Sequence, residues 1–174
     1  MSEAANNIIR RDPPAIAAER ETLNGFLDYH RATILKKVQG VDEEKGKRPS
    51  MPPSTLNLVG LVKHLAVNEI WWFQDRFAGL NPQGLPDADN DPEADFRVEP
   101  GETLAGLIAY YNEACEASRR IVASASLDDL SAATGRDGTK FTLRWIILHM
   151  IEETARHNGH ADLLREGIDG VTGE

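Results

Sequence analysis

The sequence predicts an all-α protein in which four long amphipathic helices form a four-helix bundle. Three observations support this fold class. Four segments of about 20 residues or more repeat their apolar residues at the helical period. Strand patterns are missing, apart from a short pair that could flank the turn-forming Asp137-Gly138. The 174 residues are enough for one domain, which we expect to span residues 1–174 with its core at about 14–169.

Residues that commonly begin or end helices bound these segments. The first helix is expected at about 14–40, because proline is tolerated in a first turn and glycine often follows a last one. The second is expected at about 55–78, where a serine and a threonine can cap the first turn. The third is expected at about 102–124. The fourth begins at Thr142, a suitable N-cap, and extends to about residue 168.

Two of the connections are charged and contain several prolines. Residues 41–53 carry three prolines and are expected to form a loop. Residues 80–101 are a long acidic crossover with four prolines between the second and third helices. A solvated connector is the usual interpretation of such a segment. Loops of this length without secondary structure are uncommon, however, so a lid or a wall of an active site is the alternative.

Charge and composition exclude several classes of partner. The formal net charge of −9 and the pI of about 5.0 argue against nucleic-acid binding and against binding to an anionic membrane surface. No apolar run approaches the roughly 20 residues of a membrane span, and the first residues lack the apolar core of a signal peptide. The single cysteine, Cys115, excludes an intramolecular disulfide. We therefore expect a cytoplasmic protein in which Cys115 is a small buried residue.

The segment HMIEETARHNGH, residues 149–160, holds three of the five histidines and places a glutamate on an apolar helix face. At about 100° per residue, Glu153 projects within about 60° of Ile146 and Met150 on the fourth helix. An unpaired buried carboxylate costs several kcal/mol or must take up a proton. A bound metal is the simplest explanation for a carboxylate at this position.

Glu153 and His157 lie one helical turn apart, so one divalent ion could bind to both side chains. A chance hydrogen-bonded pair is the alternative. A third ligand should come from another helix, and His64 is the candidate because it projects inward from the second helix. A lone inward histidine is more often a core residue than a ligand. Two inward-facing sites on different helices favour the metal, since bundle cores commonly house such ions.

Two blocks carry a resemblance to a known family: GLVKHLAVNEIWWF, and W-x-x-x-H-M-I-E-E-T-A-R-H-N-G-H-A-D. They resemble the DinB/YfiT-like superfamily of metal-binding four-helix bundles, most closely its uncharacterised actinobacterial branch, over about residues 23–169. The resemblance implies an up-down-down-up bundle that is often a homodimer. It also implies one divalent metal, held by a histidine of the second helix and a pair of residues on the fourth. Those positions match His64, Glu153 and His157.

Many DinB-like proteins have a histidine where this chain has Glu153. The histidine–glutamate–histidine version is similar to mycothiol-dependent maleylpyruvate isomerase, a zinc enzyme of the same superfamily. That enzyme has an additional C-terminal domain with no counterpart in these residues, so its substrate is not carried over. The mixed nitrogen and oxygen ligands favour zinc, with nickel, iron and manganese as alternatives.

Three protein ligands leave a coordination position at which a bound thiol or water would ionise near neutral pH. A small-molecule thiol is therefore a reasonable cofactor or substrate. The resemblance implies that this thiol is one such as mycothiol, and that the activity is that of a thiol transferase or a thiol-dependent isomerase. Iron-dependent oxygenation and metal-assisted hydrolysis are weaker alternatives. The competing class is a non-enzymatic structural or stress-response protein, with His149 or His160 as the fourth ligand of a closed zinc site.

Three further residues near the expected metal have two interpretations each. His149 and His160 could orient the ligands or line the pocket. His160 is expected close to the open coordination position, which makes it the candidate residue for proton transfer. Arg156 is spaced for an ion pair with Glu152, and the alternative is a clamp for a carboxylate or phosphate of the bound cofactor.

Overall fold

The computed structural model describes residues 8–87, 90–135 and 137–173, and the secondary structure within these ranges is helical. Its five α-helices are α1 (Glu19–Val38), α2 (Glu43–Gly46), α3 (Leu58–Glu69), α4 (Leu104–Ser124) and α5 (Leu143–Asp169). The predicted all-α class is confirmed. The expected strand pair is reduced, among these residues, to one antiparallel bridge between Leu130 and Thr142. The up-down-down-up order of the helices stays a prediction.

The segment before α1 folds back instead of extending the helix. Helix α1 begins at Glu19 and not near residue 14, the start that the sequence predicts. Residues 8–18 are not helical, and the ring of Pro14 lies so near α1 that a Cβ added at Gly25 would come within 2.9 Å of its Cδ. Gly25 therefore allows this segment to pack on α1.

Two local features differ from the predicted elements. Residues 43–46 form the short helix α2 inside the predicted loop, because Asp42 caps it by accepting a hydrogen bond from the Lys45 amide at 2.9 Å. The second predicted helix begins at Leu58, after the capping Asn57, and does not stay α-helical to its end. From Ile70 to Phe77 it is a π-helix, a wider turn that is rare and often found at functional sites.

The helices pack mainly in two pairs, α1 with α5 and α3 with α4. Helix α3 is mostly apolar and almost entirely buried, which makes it the centre of one core cluster. A second cluster joins the π-helical segment to the first half of α5. Among the described helices, none combines the length and apolar character that crossing a bilayer requires.

The long crossover lies against α3. A Cβ added at Gly60 would overlap the carbonyl oxygen of Phe96, so the backbone of the crossover touches the helix at a glycine. The Lys63 ammonium donates a hydrogen bond to the Arg97 carbonyl at 2.8 Å and one to Glu102 at 3.0 Å. The segment is thus fixed to α3 on the side where His64 lies.

Candidate metal centre

The three residues predicted to bind a metal converge between α3 and α5. Oε1 of Glu153 lies 3.1 Å from Nε2 of His64 and 3.2 Å from Nε2 of His157. One ligand atom from each residue lies within 4.8 Å of the other two. Both histidines are buried, and the Glu153 side chain is 13% exposed, so it sits at the edge of the core.

The outer ring nitrogens of both histidines have partners of their own. Nδ1 of His64 lies 2.8 Å from a carboxylate oxygen of Asp95, and Nδ1 of His157 lies 3.3 Å from Nδ1 of His160. A carboxylate only accepts hydrogen bonds, so Nδ1 of His64 carries a proton and donates it. His157 can donate in the same way to His160. In the neutral rings, Nε2 then offers a lone pair to a cation bound beside Glu153, whereas a protonated ring donates from Nε2 to Glu153.

This donor set fits a divalent metal. Three lone-pair atoms that face one another repel unless a proton or a cation lies between them. In a tetrahedral zinc site with bonds of about 2.0–2.1 Å, neighbouring ligand atoms are about 3.4 Å apart. The separations of 3.1 and 3.2 Å come close to that geometry. The Asn68 amide nitrogen borders the cluster, 2.9 Å from Nε2 of His64.

The protonation states favour an anionic carboxylate at the centre. Hydrogen bonds from His157 and then from His64 hold the pKa of Glu153 well below its usual range. Burial opposes a charge on His64, but its hydrogen bonds to Asp95 and Glu153 outweigh burial and raise the pKa of this imidazole. Hydrogen bonds from the two imidazoles therefore compensate the charge of Glu153, at the place that a cation would take.

Asp95 and Phe96 are site residues that the sequence alone did not predict. Both lie in the crossover, where Asp95 contacts the edge of the His64 ring and Phe96 stacks on its face at 3.8 Å between centroids, with 15° between the planes. The only indication of their role in the sequence was the unusual length of the loop, for which a wall of an active site was one of the two interpretations. The structure supports that alternative over a solvated connector.

The other predicted residues lie around the cluster. His160 contacts the nitrogen of His157 that points away from Glu153, and burial, followed by the nearby His157, lowers the pKa of His160. Arg156 forms its expected ion pair with Glu152, while its Nη1 lies 3.9 Å from Oε2 of Glu153. The contact of His160 favours an orienting role. Proton transfer by His160 and a clamp role for Arg156 stay predictions.

His149 does not join the cluster. Its ring packs between two tryptophans, 4.6 Å from Trp72 and 5.2 Å from Trp145 between centroids. It therefore belongs to an aromatic group one helical turn before Glu153. Within the part of the chain that the structure describes, the group with metal-binding geometry consists of His64, Glu153 and His157.

Comparison with known proteins identifies the family. No curated protein gave a significant match to the chain. The family model described as mycothiol S-transferase matches residues 22–170, a range that includes α2 to α5, α1 except its first turn, and all three residues of the cluster. This match confirms the resemblance to the DinB/YfiT-like superfamily. The chain belongs to the mycothiol S-transferase family.

Proposed function

We propose that this protein is a zinc-dependent S-transferase that uses mycothiol, with the metal held by His64, Glu153 and His157. The observation that carries the proposal is the convergence of three lone-pair atoms on one point between α3 and α5. The family match supports the thiol class of substrate. Two neutral imidazoles and one carboxylate are ligands that zinc commonly takes in catalytic sites.

A divalent ion bound there would supply a Lewis acid that lowers the pKa of a thiol, so that the thiolate forms near neutral pH. In the transfer, the S–H proton leaves, a new S–C bond forms to an electrophilic substrate, and the leaving group departs with its electron pair. His160 is the residue that we propose takes the proton. Phe96 covers the face of His64 and keeps water from that ligand.

Metal content tests the site directly. We expect about one equivalent of zinc per chain in the untagged protein by mass spectrometry, and its loss in Glu153→Gln and His64→Ala. Glu152→Gln is the matched control, since it removes the same charge from the neighbouring, half-exposed position. Metal retained in Glu153→Gln, or absent from the parent after reloading, would contradict the assignment.

Thiol transfer to a chromogenic electrophile tests the activity. We expect the zinc-loaded protein to consume mycothiol, the metal-free protein and Glu153→Gln to be inactive, and Glu152→Gln to keep its rate. The alternative is a structural zinc protein without enzymatic activity. A fully loaded protein whose zinc has four protein ligands by X-ray absorption, and which transfers no thiol, would favour that alternative.

We also propose that the protein is a cytoplasmic homodimer. The superfamily resemblance supports the dimer, and the 44% exposed Trp145 on α5 is a candidate contact. Light scattering should give twice the chain mass of 19.2 kDa, and Trp145→Ser should shift the mass toward one chain. A parent protein that stays at the mass of one chain at all concentrations would exclude the dimer.

A further inference from the structure

We propose that Asp95 is the positioning residue of the metal centre, fixing the tautomer and the ring orientation of His64 from the crossover. The inference rests on the proposed metal site but concerns a residue outside it. Asp95 lies 31 residues from His64 along the chain, yet its Oδ2 is 2.8 Å from Nδ1. Its side chain is only 14% exposed, so water screens this hydrogen bond weakly.

The hydrogen bond decides which nitrogen of His64 is available as a ligand. A neutral imidazole carries its proton on either nitrogen, and in water the two tautomers interconvert. Two carboxylates compete for this proton, Asp95 at 2.8 Å from Nδ1 and Glu153 at 3.1 Å from Nε2. The shorter contact favours Nδ1, and the Asn68 amide nitrogen, which lies 2.9 Å from Nε2 and donates to it, favours a lone pair on Nε2. Nε2 then keeps its lone pair on the side of Glu153 and His157.

The neighbouring residue restricts the ring in a second direction. Phe96 stacks nearly parallel to the imidazole, with 15° between the planes. Asp95 therefore holds one edge of the ring, while Phe96 covers one face. Two consecutive residues of the crossover thus prevent the ring from rotating away from the cluster.

The position of these two residues depends on a glycine of α3. The Phe96 carbonyl occupies the space that a side chain at Gly60 would need. Gly60→Ala must push the crossover away from α3, which carries Asp95 away from His64 without altering any residue of the cluster. This variant gives a test of position that is independent of replacing Asp95 itself.

The first experiment measures the tautomer in the metal-free protein. Long-range ¹H–¹⁵N NMR of the histidine rings, at a pH where they are neutral, should show His64 protonated at Nδ1 in the parent. Asp95→Asn keeps a carbonyl acceptor and should retain that tautomer, whereas Asp95→Ala should give a mixture. Glu93→Gln, an exposed position in the same segment, is the control and should match the parent. An unchanged tautomer in Asp95→Ala would overturn the inference.

The second experiment measures metal affinity by competition with a chelating dye. Asp95→Ala should bind zinc about 10–100-fold more weakly than the parent, with Asp95→Asn between the two. Gly60→Ala should also weaken binding. Gly159→Ala is its control, because an added Cβ there meets no atom within 4 Å. Equal affinities in the parent, Asp95→Ala and Gly60→Ala would refute the positioning role.

The two experiments separate this inference from the proposed function. A parent protein that binds no zinc but shows the Asp95-dependent tautomer would contradict the metal site and support the role of Asp95 on His64. If Asp95→Ala binds zinc as tightly as the parent protein, the metal site stands and the positioning role of Asp95 is overturned. Circular dichroism of each variant checks that the helices remain folded.

Discussion

At the scale of single residues, Glu153 shows how a carboxylate can lie at the edge of an apolar core. It accepts hydrogen bonds from two imidazoles on different helices, which replace the water that burial removes. Both imidazoles are in turn held by outer partners, Asp95 and His160. The charge is therefore compensated within a network, and each member of this network has a distinct and testable role.

His160 can be separated from the residues that bind the metal. We expect His160→Gln to retain zinc, because its ring contacts the outer nitrogen of His157, which points away from Glu153, and to lower the rate of thiol transfer. The pH profile of the rate should change shape if His160 takes the thiol proton. Loss of zinc from the variant would instead make His160 a ligand and exclude its assignment as the proton-transfer residue.

Cys115 should take no part in thiol chemistry. It is 3% exposed on α4, and burial, followed by the charge of Glu69, raises the pKa of its thiol. A thiolate is the reactive form, so the folded protein should react slowly with a disulfide reagent at neutral pH. The same protein in urea should react at once, which serves as the control. Fast reaction in the native state would mean that α4 opens readily.

At the scale of elements, a buried ion pair joins α1 to α3. The Arg31 guanidinium donates to both carboxylate oxygens of Glu69, at 2.8 and 2.6 Å, and Glu69 is fully buried. Asp28 accepts a further hydrogen bond from Arg31 at 3.0 Å. Because α1 and α3 share few other contacts, this pair is a specific link between two of the four long helices.

Breaking the pair should destabilise the fold strongly. We expect Glu69→Ala to lower the free energy of unfolding by about 3–5 kcal/mol, since it leaves the Arg31 charge buried without its main partner. Urea titration followed by circular dichroism measures the change. The double variant Arg31→Met with Glu69→Met should lose less stability than Glu69→Ala, because it leaves no charge buried. Glu116→Ala removes an exposed partner of Arg119 and is the control. An equal loss of stability in this variant would mean that the burial of the Arg31–Glu69 pair is not the cause of the effect.

At the scale of the whole molecule, the proposed metal joins parts of the chain that are distant in sequence. His64 lies on α3, Glu153 and His157 lie on α5, and Asp95 comes from the crossover between α3 and α4. A cation bound at this junction would stabilise the folded state, in which the ligand atoms converge, and not the unfolded chain, in which they are far apart.

Zinc should therefore raise the thermal stability. At a free zinc concentration of 100 times Kd, linkage adds about 2.7 kcal/mol to the free energy of unfolding. For a chain of this size, that corresponds to a rise in Tm of about 5–10 °C by calorimetry. Chelation should reverse the rise, and Glu153→Gln should show none. The same rise in Glu153→Gln would place the stabilising zinc elsewhere.

The helical class and the three residues of the cluster could be predicted from the sequence alone. Helical periodicity is a local property of the chain, so four amphipathic segments and the face of each could be predicted from spacing alone. A glutamate and a histidine one turn apart on an apolar face are likewise visible in one segment, which identified Glu153 and His157. The inward projection of His64 from the second helix made it the candidate third ligand, and the family resemblance matched all three positions. The structure brings the three residues together.

The residues that complete the site around the cluster could not be predicted, because they depend on contacts between distant segments. Asp95 and Phe96 reach His64 because the crossover packs on Gly60, a contact between segments that no local pattern records. Contacts between distant segments also explain two further features that the sequence did not predict. Helix α1 starts late because Pro14 packs on Gly25, and Glu69 is buried because it pairs with Arg31. Local propensities predict which segments are helical, but loops take their positions from the surfaces that they cover, and here one of those loops completes the candidate site.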